Sequence, residues 1–225
     1  VDMVFCCDPK QPYAEICGTV LAPQAVLLHS DTCYFGVRFL PGYNPVLGSS
    51  EIMSQLVNHQ IPLDELIQDR RMLEGICGTT DFRKQIRAFM RSYMNIYRRA
   101  CPMEHSNLLV LHSSNLLIRS AGSISIEQLA EDTGYTARYI DRCFRNETGL
   151  SPKQLAKIVR FQAAVSALNQ NQHKGRSLTE IAADLGYFDQ SHFVHDFKAY
   201  TGLTPKKYQK LLLHDSFEEK LRIVQ

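Results

Sequence analysis

Arg138 and Arg142 stand four residues apart, with Asp141 beside them and Arg145 one turn further on. On a helix this spacing sets two guanidinium forks on one face. A planar fork that donates two hydrogen bonds at once matches paired acceptors such as guanine O6 and N7, and an aspartate can accept from cytosine N4 or orient a neighbouring arginine. Arg142 also suits a phosphate contact or an ion pair within its own domain, so base reading and simple holding both stand open for it. Further along, Gln190, Ser191, His192, Val194, His195 and Asp196 make a second mixed face. Gln190 suits adenine, Val194 a thymine methyl, and Ser191 and His192 a base edge or a phosphate. A neutral His195 gives one contact point where an arginine would give two. Lys153, Lys157, Lys198, Lys206 and Lys207 fall near helix starts, where cations and free backbone N–H groups hold phosphates. Solvation is the plain alternative for each of these lysines.

The elements that must position these side chains are helices, and they repeat. Ile126–Tyr135 matches Leu178–Tyr187, and Ile140, Phe144, Gly149, Ser151 and Pro152 match Phe193, Phe197, Gly202, Thr204 and Pro205. The offset grows by one residue after the Gly-Tyr pair, so the second unit carries an extra residue in its turn. Each unit reads as a short helix, a glycine stop, and a second helix anchored by apolar residues at i and i+4, the grammar of a helix-turn-helix. Gly134 and Gly186 suit a left-handed helix end. Thr136 and Asp189 can cap the second helix of each unit, and Ser151-Pro152 and Thr204-Pro205 each supply a hydroxyl cap and a first-turn proline. Helices are expected at about 125–132, 136–146, 152–170, 178–185, 190–200 and 205–213, with an amphipathic stretch at 216–224. A solenoid of helical hairpins needs three or more units; two units favour DNA binding.

On these residues, 123–211 resemble the DNA-binding region of the AraC/XylS family of bacterial transcription regulators. The resemblance rests on Leu129-Ala130, Gly134-Tyr135, Arg142-Cys143-Phe144, Gly149-Leu150-Ser151-Pro152, Arg160-Phe161, Ile181-Ala182, Gly186-Tyr187, Ser191-His192-Phe193, Phe197-Lys198, Gly202-Leu203-Thr204-Pro205 and Tyr208. His195 stands where the family often has arginine, which moves guanine reading toward the first unit. The family joins its two helix-turn-helix units by a long helix, here Pro152–Gln170. The resemblance implies a cytoplasmic regulator or activator of transcription, with double-stranded DNA as partner, a small-molecule effector, RNA polymerase as a further contact and a homodimer as the working form. It calls for no cofactor, metal, membrane or catalysis.

The first half reads differently. Short apolar or aromatic runs at 3–7, 16–20, 25–29 and 33–40, punctuated by Pro and Gly, predict strands. A helical period begins after Ser49, a short helix or turn is expected at 64–67, and long helices at 80–99 and 103–120 suit a hairpin whose apolar surface serves either the core or a dimer. The expected fold class is α+β: an N-terminal cupin-like β domain with a dimer-type helical hairpin, residues 1–120, and an all-α domain of two helix-turn-helix units, residues 121–225. The cupin-like likeness rests on Tyr34–Gly42 and Ile61-Pro62-Leu63. It implies an effector among Tyr34, Phe35, Arg38 and Phe39, with plain core packing as the alternative, and Arg38 as the contact for an anion. The chain opens without Met on an apparent strand, so upstream strands are expected to be missing.

The remaining signals are weaker. Seven cysteines include no CxxC pair, and Cys6, Cys7, Cys17, Cys33, His29 and His59 lack zinc spacing. Free thiols in a reducing compartment are expected, with metal or redox sensing as a rival. No GxSxG, HExxH, P-loop or GxGxxG occurs, and Cys101-Pro102 does not provide the Pro-Cys-His-Arg setting of a repair methyltransferase. A first half that docks a protein partner is the other rival. No apolar run approaches a membrane span, and no export signal opens the chain. The net charge of +2 is bland, but it conceals local excess: 136–160 carries six basic and two acidic side chains, and 189–210 four and two. Two basic reading surfaces on an otherwise acidic support are expected.

Overall fold

The computed structural model describes residues 1–24, 29, 31–40, 43, 45, 51–67, 69–100, 105–171 and 175–212. The strand expected at 25–29 and the stretch at 216–224 lie almost wholly or wholly outside these residues. Four short strands pair antiparallel in the order β3-β1-β2-β4: β1 (Asp2–Cys6), β2 (Tyr13–Cys17), β3 (Tyr34–Arg38) and β4 (Gln60–Pro62). Register is fixed by what each face must do. Opposing β1, Ile16 and Val37 flank Met3, and Ala14 and Phe35 flank Phe5, so the apolar positions share one face. That face packs on Met53 and Leu56 near α1 (Glu51–Gln55), Leu63 of α2 (Leu63–Leu66), Met72 and Ile76 of α3 (Arg70–Cys77), and Phe89 of α4 (Phe82–Ala100). The opposite face presents Asp2, Val4, Tyr13, Glu15, Tyr34 and Arg38.

β2 begins three residues earlier than its sequence pattern suggests. β4 and α3 have no counterpart among the expected elements. β4 is three residues long and is defined by its backbone pairing to β2. In α3 the readable signals were Asp69, whose carboxylate accepts from the Arg71 N–H, and Met72 and Ile76 one turn apart; two glycines within Gly75–Gly78 obscured them.

The two long helices do not share a core as a hairpin would. α4 packs on α3 and the sheet, whereas α5 (His105–Arg119) buries Leu109, Val110 and Leu117 among α6 (Ile126–Thr133), α7 (Ala137–Thr148) and the first turns of α8 (Pro152–Gln170). Leu129, Ile140, Phe144, Leu155 and Val159 complete this second core. A third gathers Ala164 and Leu168 of α8 with Ile181 and Ala182 of α9 (Leu178–Asp184), Phe193 and Phe197 of α10 (Gln190–Thr201), and Tyr208 of α11 (Pro205–Leu212). α8 therefore carries one core at each end.

Thr136, Ser151 and Asp189 cap their helices as the sequence predicts, and Ser125 and Ser177 add two caps that were not expected. Ser125, Ser151 and Ser177 each close a capping box, with Gln128, Gln154 and Glu180. Thr136 and Asp189 accept from the third residue's N–H at the starts of α7 and α10. α6, α7 and α10 end on glycines at φ 72°, 72° and 71°. Of these, Gly149 is fixed twice over. Its φ is left-handed, and a Cβ there would lie 2.6 Å from the Met53 carbonyl oxygen. α1 of the first half presses on the end of α7 at that point.

Candidate nucleic-acid interface

α7 and α10 each turn an apolar side inward and leave a polar side to solvent. On α7, Ile140, Cys143 and Phe144 are buried, while Arg138, Arg142 and Arg145 are exposed. The Arg142 guanidinium rests 5.1 Å above the Tyr139 ring, and Tyr139 stacks on Tyr135 at 5.1 Å. This aromatic platform limits the rotamers of Arg142 without using its donors. Arg145 Nε donates to Asp141 at 2.7 Å, so Asp141 orients Arg145 rather than Arg138. Arg138 is left with no acidic partner among the described residues.

On α10 the outward residues Gln190, Ser191, Val194, His195 and Lys198 line a shallow groove of about 350 Å³. His195 stands well out, its side chain 84% exposed. Gln190 accepts from the Thr179 hydroxyl at 2.7 Å, which braces it against α9. His192 leans edge-on against Tyr187 at 5.3 Å and lies 3.7 Å from Asp196. Asp196 does not belong to the outward set: it is buried, facing α8, within 4.0 Å of Lys157 and 3.9 Å of His195. The helical position that seemed to aim it at solvent is roofed by α8. Of the three groups around this buried carboxylate, Lys157 reaches it from α8 and so ties α10 to α8, whereas His192 and His195 lie on α10 itself.

Lys153 at the start of α8 and Lys206 and Lys207 at the start of α11 are exposed in first turns that Ser151 and Thr204 cap. The extra residue of the second turn is Phe188, which is 94% exposed at the entrance to α10. No sequence motif marked it; only the growth of the repeat offset by one did.

The first-half candidates divide. Tyr34, Arg38 and Phe39 border a cavity of about 1420 Å³ between the polar face of the sheet and one side of α8, where Leu155, Ile158, Phe161 and Val165 form the far wall. Phe35 points the other way, into the core against Phe5, Phe82 and Phe89. The period of two along β3 forces this separation. Arg38 already has a carboxylate: its Nε and Nη2 donate to Asp2 at 2.9 and 2.8 Å. Burial raises the Cys7 thiol and pushes Cys77 up to about 12, so neither is a thiolate near neutral pH and neither is a ready nucleophile. Among the described residues no three His, Cys, Asp or Glu side chains stand together as a metal site, and no helix is long and apolar enough to cross a membrane.

A family model described as a helix-turn-helix domain matches residues 129–211, the span that holds both outward faces. This stretch is similar to the helix-turn-helix domain of AraC/XylS-type regulators. Among similar proteins, an uncharacterized HTH-type transcriptional regulator of Haemophilus influenzae is 38% identical over 85 residues, covering 38% of this chain and 28% of that one. The HTH-type transcriptional activator AarP of Providencia stuartii is 29% identical over 104 residues, 46% of this chain and 72% of its own. A solved DNA-binding transcriptional dual regulator from Escherichia coli K-12 superposes with a TM-score of 0.42 at 20% identity, over 50% of this chain and 96% of that chain. The chain thus spans under a third of the length of the Haemophilus relative, and the family-model match lies in its C-terminal half.

Proposed function

We propose that this protein is a sequence-specific, DNA-binding transcription regulator, with α6–α7 and α9–α10 as two helix-turn-helix units and α7 and α10 as their recognition helices. The observation that carries this is the pair of outward faces mounted at the two ends of one helix. At 1.5 Å per residue α8 is roughly 28 Å long, which suits recognition helices in major grooves about one 34 Å turn apart. Arg138 and Arg142 are the base readers of the first unit, Gln190, Ser191 and His195 those of the second. Lys153, Lys206 and Lys207 hold phosphates, and Arg145 and His192 are oriented beside them by Asp141 and Asp196.

In this reading residues 1–120 form an effector-binding and dimerisation domain of cupin-like kind, residues 121–225 the DNA-binding domain, and α5 packs with the second although it precedes the boundary. The cavity between the sheet and α8 supports control by a small molecule, since a ligand there touches both the first half and the helix that spaces the two units. Tyr34 and Phe39 border it. Arg38 serves an anion only if the anion displaces Asp2. The names of the relatives are those of transcription regulators.

Selection of bound sequences from a random DNA pool tests the reading, with Arg142→Ala and Lys206→Ala as variants. Arg142→Ala is expected to weaken the selected site by about 1–3 kcal/mol and relax one base position. Lys206→Ala is expected to weaken all sequences alike and lower the salt slope by about one. Recovery of no preferred sequence overturns the proposal. Repeating the selection with pooled metabolites, and looking for a change in affinity, tests effector control.

A further inference from the structure

α4 is a basic amphipathic helix whose apolar side is only partly used by the fold. Its inner face, Gln85, Phe89, Tyr93 and Ile96, packs on the first core. A second row, Phe82, Ile86, Met90, Met94 and Tyr97, follows the spacing i, i+4, i+8, i+12, i+15 and stays exposed, with Phe82 at 53% and Met90 at 49%. This row runs roughly 22 Å along the helix. Single exposed apolar residues are ordinary, whereas a continuous file of five is a contact surface. Along one flank stand Arg83, Arg87, Arg91 and Arg98, all exposed. The whole helix holds six Lys or Arg and no Asp or Glu. Among the described residues none of those four arginines has a carboxylate within ion-pair distance.

We infer that this face of α4 is a docking surface for an acidic amphipathic helix of another protein. A straight file of apolar side chains along a helix is the complement of a second helix laid beside it, read as anchors at i, i+4 and i+7. The row of arginines sets the charge of the partner's facing edge: glutamates or aspartates there meet guanidinium forks in the geometry that favours bidentate pairing. A second copy of α4 brings cations and no carboxylate to the same row, and like charges facing each other oppose the contact. An anionic membrane draws on cations to both sides of an inserted apolar stripe, and here the second flank is the protein core. DNA phosphate satisfies the arginines but leaves Phe82, Ile86, Met90 and Met94 in water.

The test uses the whole chain and a fluorescein-labelled 18-residue helical peptide bearing leucines at i, i+4, i+7 and i+11 with glutamates along one flank. A second peptide has lysines in place of the glutamates. Fluorescence anisotropy is expected to show that the glutamate peptide binds at least on the order of tenfold more tightly than the lysine peptide. M90E is expected to abolish binding, and the double variant R87E/R91E to reverse the preference, both variants keeping the wild-type melting temperature. Equal binding of the two peptides, or none, overturns the inference. So does a doubled mass in sedimentation that M90E abolishes, which makes the occupant a second copy. Flotation with phosphatidylglycerol vesicles makes it a membrane, and a fall of about two in the salt slope of DNA binding for R87E/R91E makes the row a phosphate contact; each also overturns it.

Discussion

Arg160, near the middle of α8, donates from Nη2 to the carbonyl of Gly122 at 2.6 Å. The same guanidinium lies 5.4 Å over the Tyr187 ring, and its Nε is buried without a partner. Gly122 belongs to the segment that leads into the first helix pair, and Tyr187 to the turn of the second. A Cβ on Gly122 would come within 2.2 Å of the Ala156 carbonyl oxygen, so this segment is pressed directly onto α8. One side chain thus ties the entrance of one unit to the turn of the other. Lysine is a point charge on a flexible stem and cannot satisfy the carbonyl and cover the ring together. Arg160→Lys is expected to lower stability by about 1–3 kcal/mol and to blunt discrimination among DNA sites whose two half-sites differ in spacing. Urea melts and a binding series with one base pair added or removed between half-sites measure both. Wild-type melts with a wild-type spacing profile would remove Arg160 from this role.

Gly149 and Gly134 share a φ of 72° but not a setting. Nothing lies within 4 Å of a Cβ on Gly134, whereas one on Gly149 meets the Met53 carbonyl oxygen at 2.6 Å and the Ser54 Cα at 2.8 Å. Alanine at Gly134 carries the left-handed penalty of about 1–2 kcal/mol. Alanine at Gly149 carries the same penalty and must also move α1 away from α7. Gly149→Ala is therefore expected to be the more destabilising of the two in chemical denaturation, and to be the one that alters protease sensitivity of the first half. Equal costs would mean that the contact between the halves yields freely.

The second half was legible because its physics is local. Caps, glycine stops and i, i+4 anchors are written in consecutive residues, and Thr136, Ser151 and Asp189 sit where their hydroxyls or carboxylates say they must. The first half was legible only in outline. β4 exists because β2 offers it a backbone ladder some forty-five residues away, and no property of Gln60–Pro62 alone specifies that. α5 carried a helical pattern, yet which core would receive Leu109, Val110 and Leu117 depended on a complementary face further along the chain. At the site, the exposed arginines of α7 were readable from period alone. Asp196 was misplaced because its roof is another helix, and Asp2 was not seen as the partner of Arg38 because the two meet only across paired strands.

Phe188 is the residue that the second turn has in excess of the first, and it is 94% exposed beside the outward groove of α10. An apolar ring held there contributes nothing to the core, so Phe188→Ala is expected to leave the melting temperature unchanged. In the proposed DNA complex the ring is placed to meet a thymine methyl or a deoxyribose. The expected result is a severalfold loss of affinity for the selected site and loss of preference at one position on the side of the second unit. Unchanged affinity, with unchanged preference, would show that the ring faces solvent in the complex too.

Burial pushes Tyr187 up to about 12, with the Asp196 carboxylate adding to the shift and Arg160 opposing it. An exposed tyrosine in the unfolded chain loses its proton near 10. Between those values the folded protein keeps a proton that the unfolded chain has released, so stability falls as pH rises. The contribution is fully present below about pH 10 and is lost as pH climbs to about 12. Tyr187→Phe removes the titrating hydroxyl and keeps the ring under Arg160. Tyr200 and Tyr208, also raised by burial, titrate in both proteins and cancel in the comparison. Urea midpoints taken from about pH 9 to about pH 12 are expected to run parallel at the lower end and to fall less steeply in Tyr187→Phe at the upper end. Parallel curves throughout would mean that the hydroxyl reaches water in the folded state, and that the turn of the second unit is open beside Arg160.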